Sequence, residues 1–385
     1  MKVIRFFLLL IYCCVAVCNH SYAQQFRFAS GAVRDSIRAS LISKVDACMG
    51  KPVGGETQSD WLGACWAMEL MLYKPSVLEQ RIPGILDSLY QQPLAMQQAF
   101  LEMILTLFPG DFTDKLQDRW RKLGSNKVKA MALEQLAMAG SFPELQMDPQ
   151  FVQSAYAELY QQRWMNPTIL CPQKEDILSK NFLPEQTVLV SFQYRNRDRP
   201  GCLMIRTADH QWLKNPEGQN YCFTQLARSI TNMPWYLTNG NTPQGLYKLA
   251  GVDVSNNNWI GPTPNMQMVM PFEPGLQPFF LDTVEAYRQY RNLLGSLAKF
   301  PSLFQSYHAG RIGRTEIIAH VTTIPEWYYT DQPYYPCTPS LGCLCSPEIW
   351  SESGTVLRSV QQQWMDIVVN LQPAAFYLLV VEWKE

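Results

Sequence analysis

Cys343 stands in the stretch Thr338-Pro339-Ser340-Leu341-Gly342-Cys343-Leu344-Cys345, with His320 upstream of it. These residue types suit nucleophilic chemistry. A thiol acts as a nucleophile when a base lies within hydrogen-bond reach. A glycine beside it lets the backbone bend closely enough to aim amide N–H groups at a developing oxyanion. The structural alternative is a cysteine held in a disulfide and a histidine satisfied in the core. His308 and His210 are the other candidate bases, although His210 sits in the polar turn Asp209-His210-Gln211.

Two kinds of element must position this turn. From Asp35 to about Phe182 apolar residues recur at three and four, as in Leu78, Ile82, Ile85, Leu86 and Leu89, which predicts helix after helix. Pro93, Pro109-Gly110, Gly124-Ser125 and Gly140-Ser141-Phe142-Pro143 divide the pattern into helical lengths, the look that a solenoid-like stack of helix pairs would give. Trp61, Trp66, Trp120 and Trp164 are read as core, with a sugar- or peptide-binding groove as the alternative. Near Pro184 the period falls towards two, so a domain boundary is placed at about residue 183. Strands are expected at Thr187 to Phe192, Cys202 to Thr207, Phe223 to Ile230, Gly245 to Ala250, Gln267 to Pro271 and Glu316 to Val321. A helix is expected over Thr283 to Phe300, another over Thr355 to Val369, and a closing strand buried on both faces over Ala375 to Trp383. The fold class is therefore α+β, with a helical domain over residues 24–183 and a mostly β domain over 184–385.

Met1 to Arg5 is basic, Phe6 to Val17 is apolar, and Ser21-Tyr22-Ala23 puts small residues where a signal peptidase cuts. Residues 1–23 are read as a signal peptide and the chain as exported, periplasmic or wall-associated. Lipidation at Cys18 is the lesser alternative, because Val17 is bulkier than the small residue such sites prefer. The eight-residue run Ala374 to Val381 is too short to span a bilayer, so no transmembrane helix is expected in the mature chain. With 32 basic and 33 acidic residues the net charge of −1 gives no global field for nucleic acid or anionic lipid. Of eleven cysteines, Cys13, Cys14 and Cys18 leave with the signal; Cys48 with Cys65, and Cys202 with Cys222, are the easiest bridges to imagine among the rest. Four histidines and no Cys-x-x-Cys spacing give no expectation of a metal or other cofactor.

Asn239-Gly240-Asn241-Thr242-Pro243-Gln244-Gly245-Leu246-Tyr247 matches the T-P-x-G-x-Y/F turn and strand of L,D-transpeptidases. Three more features follow in the family's order: the strand Gln267 to Phe272, Ile317-Ile318-Ala319-His320, and Ser340-Leu341-Gly342-Cys343. Over about residues 185–383 the chain thus resembles the catalytic domain of these peptidoglycan-remodelling cysteine enzymes. It departs at Val321, where the family usually has glycine, and at Cys345, where the family has Arg, His or Asn.

The resemblance implies that Cys343 attacks a stem-peptide carbonyl to form a thioester, with His320 as base. It assigns oxyanion or orienting roles to Gly342 and Ser340, with Ser340 or a nearby carbonyl fixing the imidazole tautomer, and substrate-binding roles to Thr242, Pro243, Gly245 and Tyr247. Cys345 departs from an Arg that would hold a substrate carboxylate, and it can be imagined bridged to Cys337. Tyr307, Arg311, Arg314 and Trp327 fall near the cleft by proximity, and Asp331, Tyr334 and Tyr335 in a loop of the kind that forms lids. The partners implied are peptidoglycan stem peptides. The rivals are an L,D-carboxypeptidase, with water as acceptor, and a catalytically inactive wall-binding or scaffold protein of the same fold.

Overall fold

The computed structural model describes residues 25–165, 170–275, 278–280, 282–371 and 375–383. The expected signal peptide lies outside the described residues. Among them, no helix is long and apolar enough to cross a membrane.

The chain is α+β: a helical region precedes a mostly β region. Helices α1 (Gly31–Cys48), α2 (Gln58–Met71), α3 (Leu78–Ser88), α4 (Leu94–Leu107), α5 (Asn126–Met138) and α6 (Ala155–Trp164) form the first half. Sequence punctuation becomes structure at their ends. The Ser125 hydroxyl accepts the Val128 N–H at 3.3 Å and the Ser154 hydroxyl the Ala157 N–H at 3.2 Å, satisfying donors that a helix start leaves over. Contacts run α1 to α2, α2 to α4, α4 to α5 and α5 to α6, a serial stack. Trp61 and Trp120 are buried in its core, whereas Trp66 and Trp164 are half-buried. Cys48 and Cys65 remain thiols, packed as small apolar groups where helices α1 and α2 meet, so that expected bridge is not formed.

Eight strands build a nearly closed mixed sheet in the order β3-β2-β1-β10-β4-β5-β6-β7. They are β1 (Thr187–Tyr194), β2 (Gly201–Arg206), β3 (Phe223–Gln225), β4 (Gly245–Asp253), β5 (Asn265–Val269), β6 (Ala319–His320), β7 (Leu344–Cys345) and β10 (Ala375–Trp383). The chain's last strand is central, parallel to β1 and antiparallel to β4. Its period of two explains why Leu378 to Val381 is apolar throughout. Leu379 and Val381 join Val188, Val190, Tyr290 and Leu294 on one face, while Leu378 and Val380 join Leu189, Trp364 and Met365 on the other. Helices α7 (Ala286–Leu294) and α8 (Gln305–Arg311) cover the first face, and α9 (Val360–Asn370) the second. Residues expected to begin that last helix instead form strand β9 (Val356–Ser359), paired with β8 (Glu348–Trp350), and the Ser359 hydroxyl then caps α9 by accepting the Gln362 N–H at 3.2 Å. Cys202 and Cys222 form a disulfide, tying the end of β1–β2 to the approach of β3.

The two ends of the sheet meet beyond β3. Leu226 donates its N–H to the Cys345 carbonyl at 2.7 Å and accepts the Cys345 N–H at 2.9 Å. This seam is where the chemistry-bearing residues lie.

Candidate functional site

Strand β6 runs parallel to β7 with His320 opposite Cys345. That register brings the imidazole to the thiol turn although the two are far apart in sequence. Ahead of β7 the Ile230 N–H donates to the Ser340 carbonyl at 2.8 Å, so both sides of the turn are anchored to the β3 extension.

The Asn239–Gly245 turn abuts the thiol turn from a third direction. The Thr242 hydroxyl donates to the Gly342 carbonyl at 2.8 Å, and the Tyr247 hydroxyl donates to the Pro243 carbonyl at 2.8 Å. Gly245 lies at φ 127°, and a Cβ there would collide with the Leu303 carbonyl, Ser306 and the Tyr290 hydroxyl. Gly342 lies at φ 111°, pressed against Arg314 and the Gly240 carbonyl. Thr242, Pro243, Gly245 and Tyr247 are all buried. The structure thus places them as positioning residues that hold the turn, not as a ligand-facing surface, because their polar atoms are spent on neighbouring protein groups.

Cys343 is partly exposed, while Cys345 is buried. The Cys343 sulfur accepts the Ile318 N–H at 3.5 Å. Burial would raise this thiol; the hydrogen bond and charge of His320, the Ile318 N–H and the charge of Arg314 outweigh it, and the pKa falls below the ordinary cysteine value. His320 is shared between two sulfurs. Its Nε2 lies 3.9 Å from the Cys345 sulfur, and its Nδ1 lies 2.6 Å from the Val321 carbonyl. With Nδ1–H donated to that carbonyl, Nε2 is the nitrogen turned to the thiols. Burial would lower the imidazole's pKa, but the Cys345 charge, hydrogen bonds to Cys343 and Cys345 and the Cys343 charge raise it well above the usual value. An imidazolium–thiolate pair is the arrangement these shifts favour.

The tautomer is therefore set by the Val321 carbonyl and not by Ser340. The Ser340 hydroxyl instead accepts the Cys343 N–H at 3.1 Å. An oxyanion forming at Cys343 would compete with that hydroxyl for the same N–H.

Sequence proximity alone pointed to Arg314, and the structure gives it a definite place. It is buried, donating to the carbonyls of Trp235, Asn241 (2.8 Å) and Gly240, and burial lowers its pKa to about 10. The guanidinium thereby welds the Asn239–Gly245 turn to the thiol turn and puts a positive charge near Cys343. The only sequence signal was an arginine shortly before the histidine strand, since backbone carbonyls leave no trace in residue type.

Other expected neighbours lie elsewhere. Tyr307 packs in the aromatic cluster with Phe272, Tyr287 and Tyr290, and Arg311 pairs with Glu158 at 3.3 Å. Arg38 lies over the Trp327 ring. The loop before Ser340 is pinned and not a free lid: Tyr334 is buried beneath Arg228, and the Tyr329 hydroxyl donates to the Leu70 carbonyl at 2.7 Å. Cys337 and Cys345 are both thiols, the former raised to about 12 by burial and then by the Cys345 charge. His210 is held in a left-handed turn at φ 62°. Among the described residues, no group of three or more His, Cys, Asp or Glu side chains is arranged to hold a metal ion.

The helical region buttresses this site. Met233, Tyr236 and Leu237 insert into the helical core, and the buried carboxylate of Glu134 accepts from the Tyr236 hydroxyl at 2.6 Å and the Trp164 indole at 3.0 Å. Asn239 adds a hydrogen bond to Glu102 at 3.3 Å. Compared with protein-family models, curated proteins and solved structures, the chain matches none.

Proposed function

We propose that the protein is an exported cysteine acyltransferase of the L,D-transpeptidase type, acting on peptidoglycan stem peptides. The observation that carries this reading is the convergence of two sequence-distant segments on one partly exposed thiol: from residues 314–320, His320 lowers its pKa and Arg314 adds positive charge, and from the Asn239–Gly245 turn Thr242 braces Gly342. The Cys343 thiolate attacks the carbonyl carbon at the bond to a terminal D-amino acid. The C–N bond breaks as the His320 imidazolium gives its proton to the leaving amine, leaving a thioester on Cys343. An amine from a second stem, or water, then attacks the thioester and releases the thiol.

A second reading keeps the fold as a wall-binding or scaffold protein without turnover. Two features favour it: the Cys343 N–H already donates to Ser340, and a buried Cys345 stands where the family carries a polar or basic side chain. Incubation with purified stem tetrapeptides and mass spectrometry separates the readings. Release of terminal D-alanine or appearance of cross-linked dimers, lost in Cys343→Ala, supports the enzyme. Equal product from both proteins, or none from either, sinks it.

A further inference from the structure

A cleft of about 540 Å3 opens where helix α6, the loop after β1, the Asn239–Gly245 turn and helix α8 meet. Cys343 and His320 are not among its lining residues. Arg195, Arg197, Trp164, Trp235, Ser302 and His308 are. Three of its lining residues carry a buried polar atom without a protein partner: Nη1 of Arg197, Oγ of Ser302 and Nδ1 of His308. Burying such groups unpaired is costly, so their convergence on one cleft calls for a ligand.

Arg197 is the anchor. It is only 7% exposed, and its Nη2 pairs with Glu382 at 3.3 Å, while Nη1 remains for something else. Of the other lining charges, Arg163 is committed to Glu134 at 3.2 Å, and Arg195 stands exposed at the rim. Arg195 and Arg197 against Glu382 leave a net charge of about one positive unit, which suits a monoanion better than a dianion. His308 is lowered by burial and then by Arg311, so it contributes a neutral imidazole. The two tryptophans and the volume are too much for a bare ion and fit an organic body of dipeptide or monosaccharide size.

We propose that this cleft is a binding site for a small organic monocarboxylate, its carboxylate held by Arg197 and Arg195 with Ser302 and His308, and its body laid against Trp164 and Trp235. The proposal stands independently of catalysis at Cys343. It is tested by isothermal titration of the protein with N-acetylmuramate and with alanyl-alanine, each beside its carboxamide, and with inorganic phosphate. At least one carboxylate should bind, with a loss of about tenfold or more in its amide and in Arg195→Gln and Ser302→Ala, both placed where folding does not depend on an ion pair. Cys343→Ala should bind as wild type does, so a failed transpeptidase assay leaves this result standing. Binding of neither carboxylate, equal binding of acid and amide, or tighter binding of phosphate overturns the proposal.

Discussion

The thiol seam and the junction cleft share the Asn239–Gly245 turn, which sends Thr242 to one and Asn241 and Gln244 to the other. They are built in opposite ways. At the seam the polar groups are used within the protein: imidazole Nδ1 on the Val321 carbonyl, Arg314 on three carbonyls, the Cys343 N–H on Ser340. At the cleft, guanidinium, hydroxyl and imidazole atoms are buried with no protein partner. Saturation fixes geometry and tunes a pKa, as a reacting group requires. Unsatisfied polarity holds stability in reserve for a ligand instead. The contrast teaches that one turn can brace a reactive thiol on one side while supplying the wall of a binding site on the other.

The sharpest way to break this comparison is Cys343→Ala. It should abolish stem-peptide turnover, a loss on the order of 10^3-fold or more, and leave thermal stability and carboxylate binding at the cleft unchanged. Loss of both functions together would mean that the two sites are one. Arg314→Met comes next. It strands three carbonyls in a buried setting, and at roughly 1–3 kcal/mol per orphaned group the protein should lose about 3 kcal/mol or more in urea unfolding. Gly342→Ala should fail for the same neighbourhood, since its Cβ would displace that guanidinium.

Glu348 offers a control: a buried carboxyl with one unpartnered oxygen that is not part of the cleft lining. Burial raises its pKa to about 7, against the lowering effect of hydrogen bonds from Thr263 and Ser359 and of Arg34. A raised acid pKa contributes stability that is fully present below the unfolded value of 4.5 and lost as pH rises through about 7. Glu348→Gln should therefore stabilise the protein by about 2–3 kcal/mol at pH 8 and by little at pH 4.5. Equal effects at both pH values would assign the cost to packing and not to charge.

How much of this was legible in the sequence follows from which signals live in side chains. Strands β1, β2 and β10 stand out because both sheet faces are covered, so their residues are mostly apolar, and the buried Ser191 and Gln193 in β1 are satisfied by hydrogen bonds to each other and to Gln225. The expected Glu316 to Val321 strand shrinks to two residues, since Glu316 takes φ 62° and the Ile318 N–H goes to the Cys343 sulfur. Thr355 to Ser359 reads as helix from composition, yet Leu357 is largely exposed on the β8–β9 hairpin, where a short ribbon has little core to impose a period. The order of Thr242, Gly245, His320 and Cys343 was visible because each is a side-chain or glycine requirement. The partners that tune them are the carbonyls of Val321, Trp235, Gly240 and Asn241, and any residue supplies a carbonyl. The buttressing of the seam by Glu134 through Tyr236 was hidden for a different reason, because sequence does not show which helix a distant loop enters.

The finest division lies inside the seam, between two sulfurs competing for one imidazole. If His320 serves Cys343, His320→Gln removes both the leading hydrogen bond and the charge that lower that thiol, leaving burial opposed only by the Ile318 N–H and the Arg314 charge. Alkylation of Cys343 by iodoacetamide, followed by peptide mass spectrometry, should then slow about tenfold at neutral pH, and its pH profile should move to higher pH. Cys345→Ala should have the opposite sign or none, since it removes the sulfur 3.9 Å from Nε2 and leaves the imidazole to Cys343 alone. An alkylation rate indifferent to His320 but altered by Cys345 would mean that the imidazole is held by the buried thiol. The partly exposed one would then lack a base, which is the chemistry of a binding protein and not of an acyltransferase.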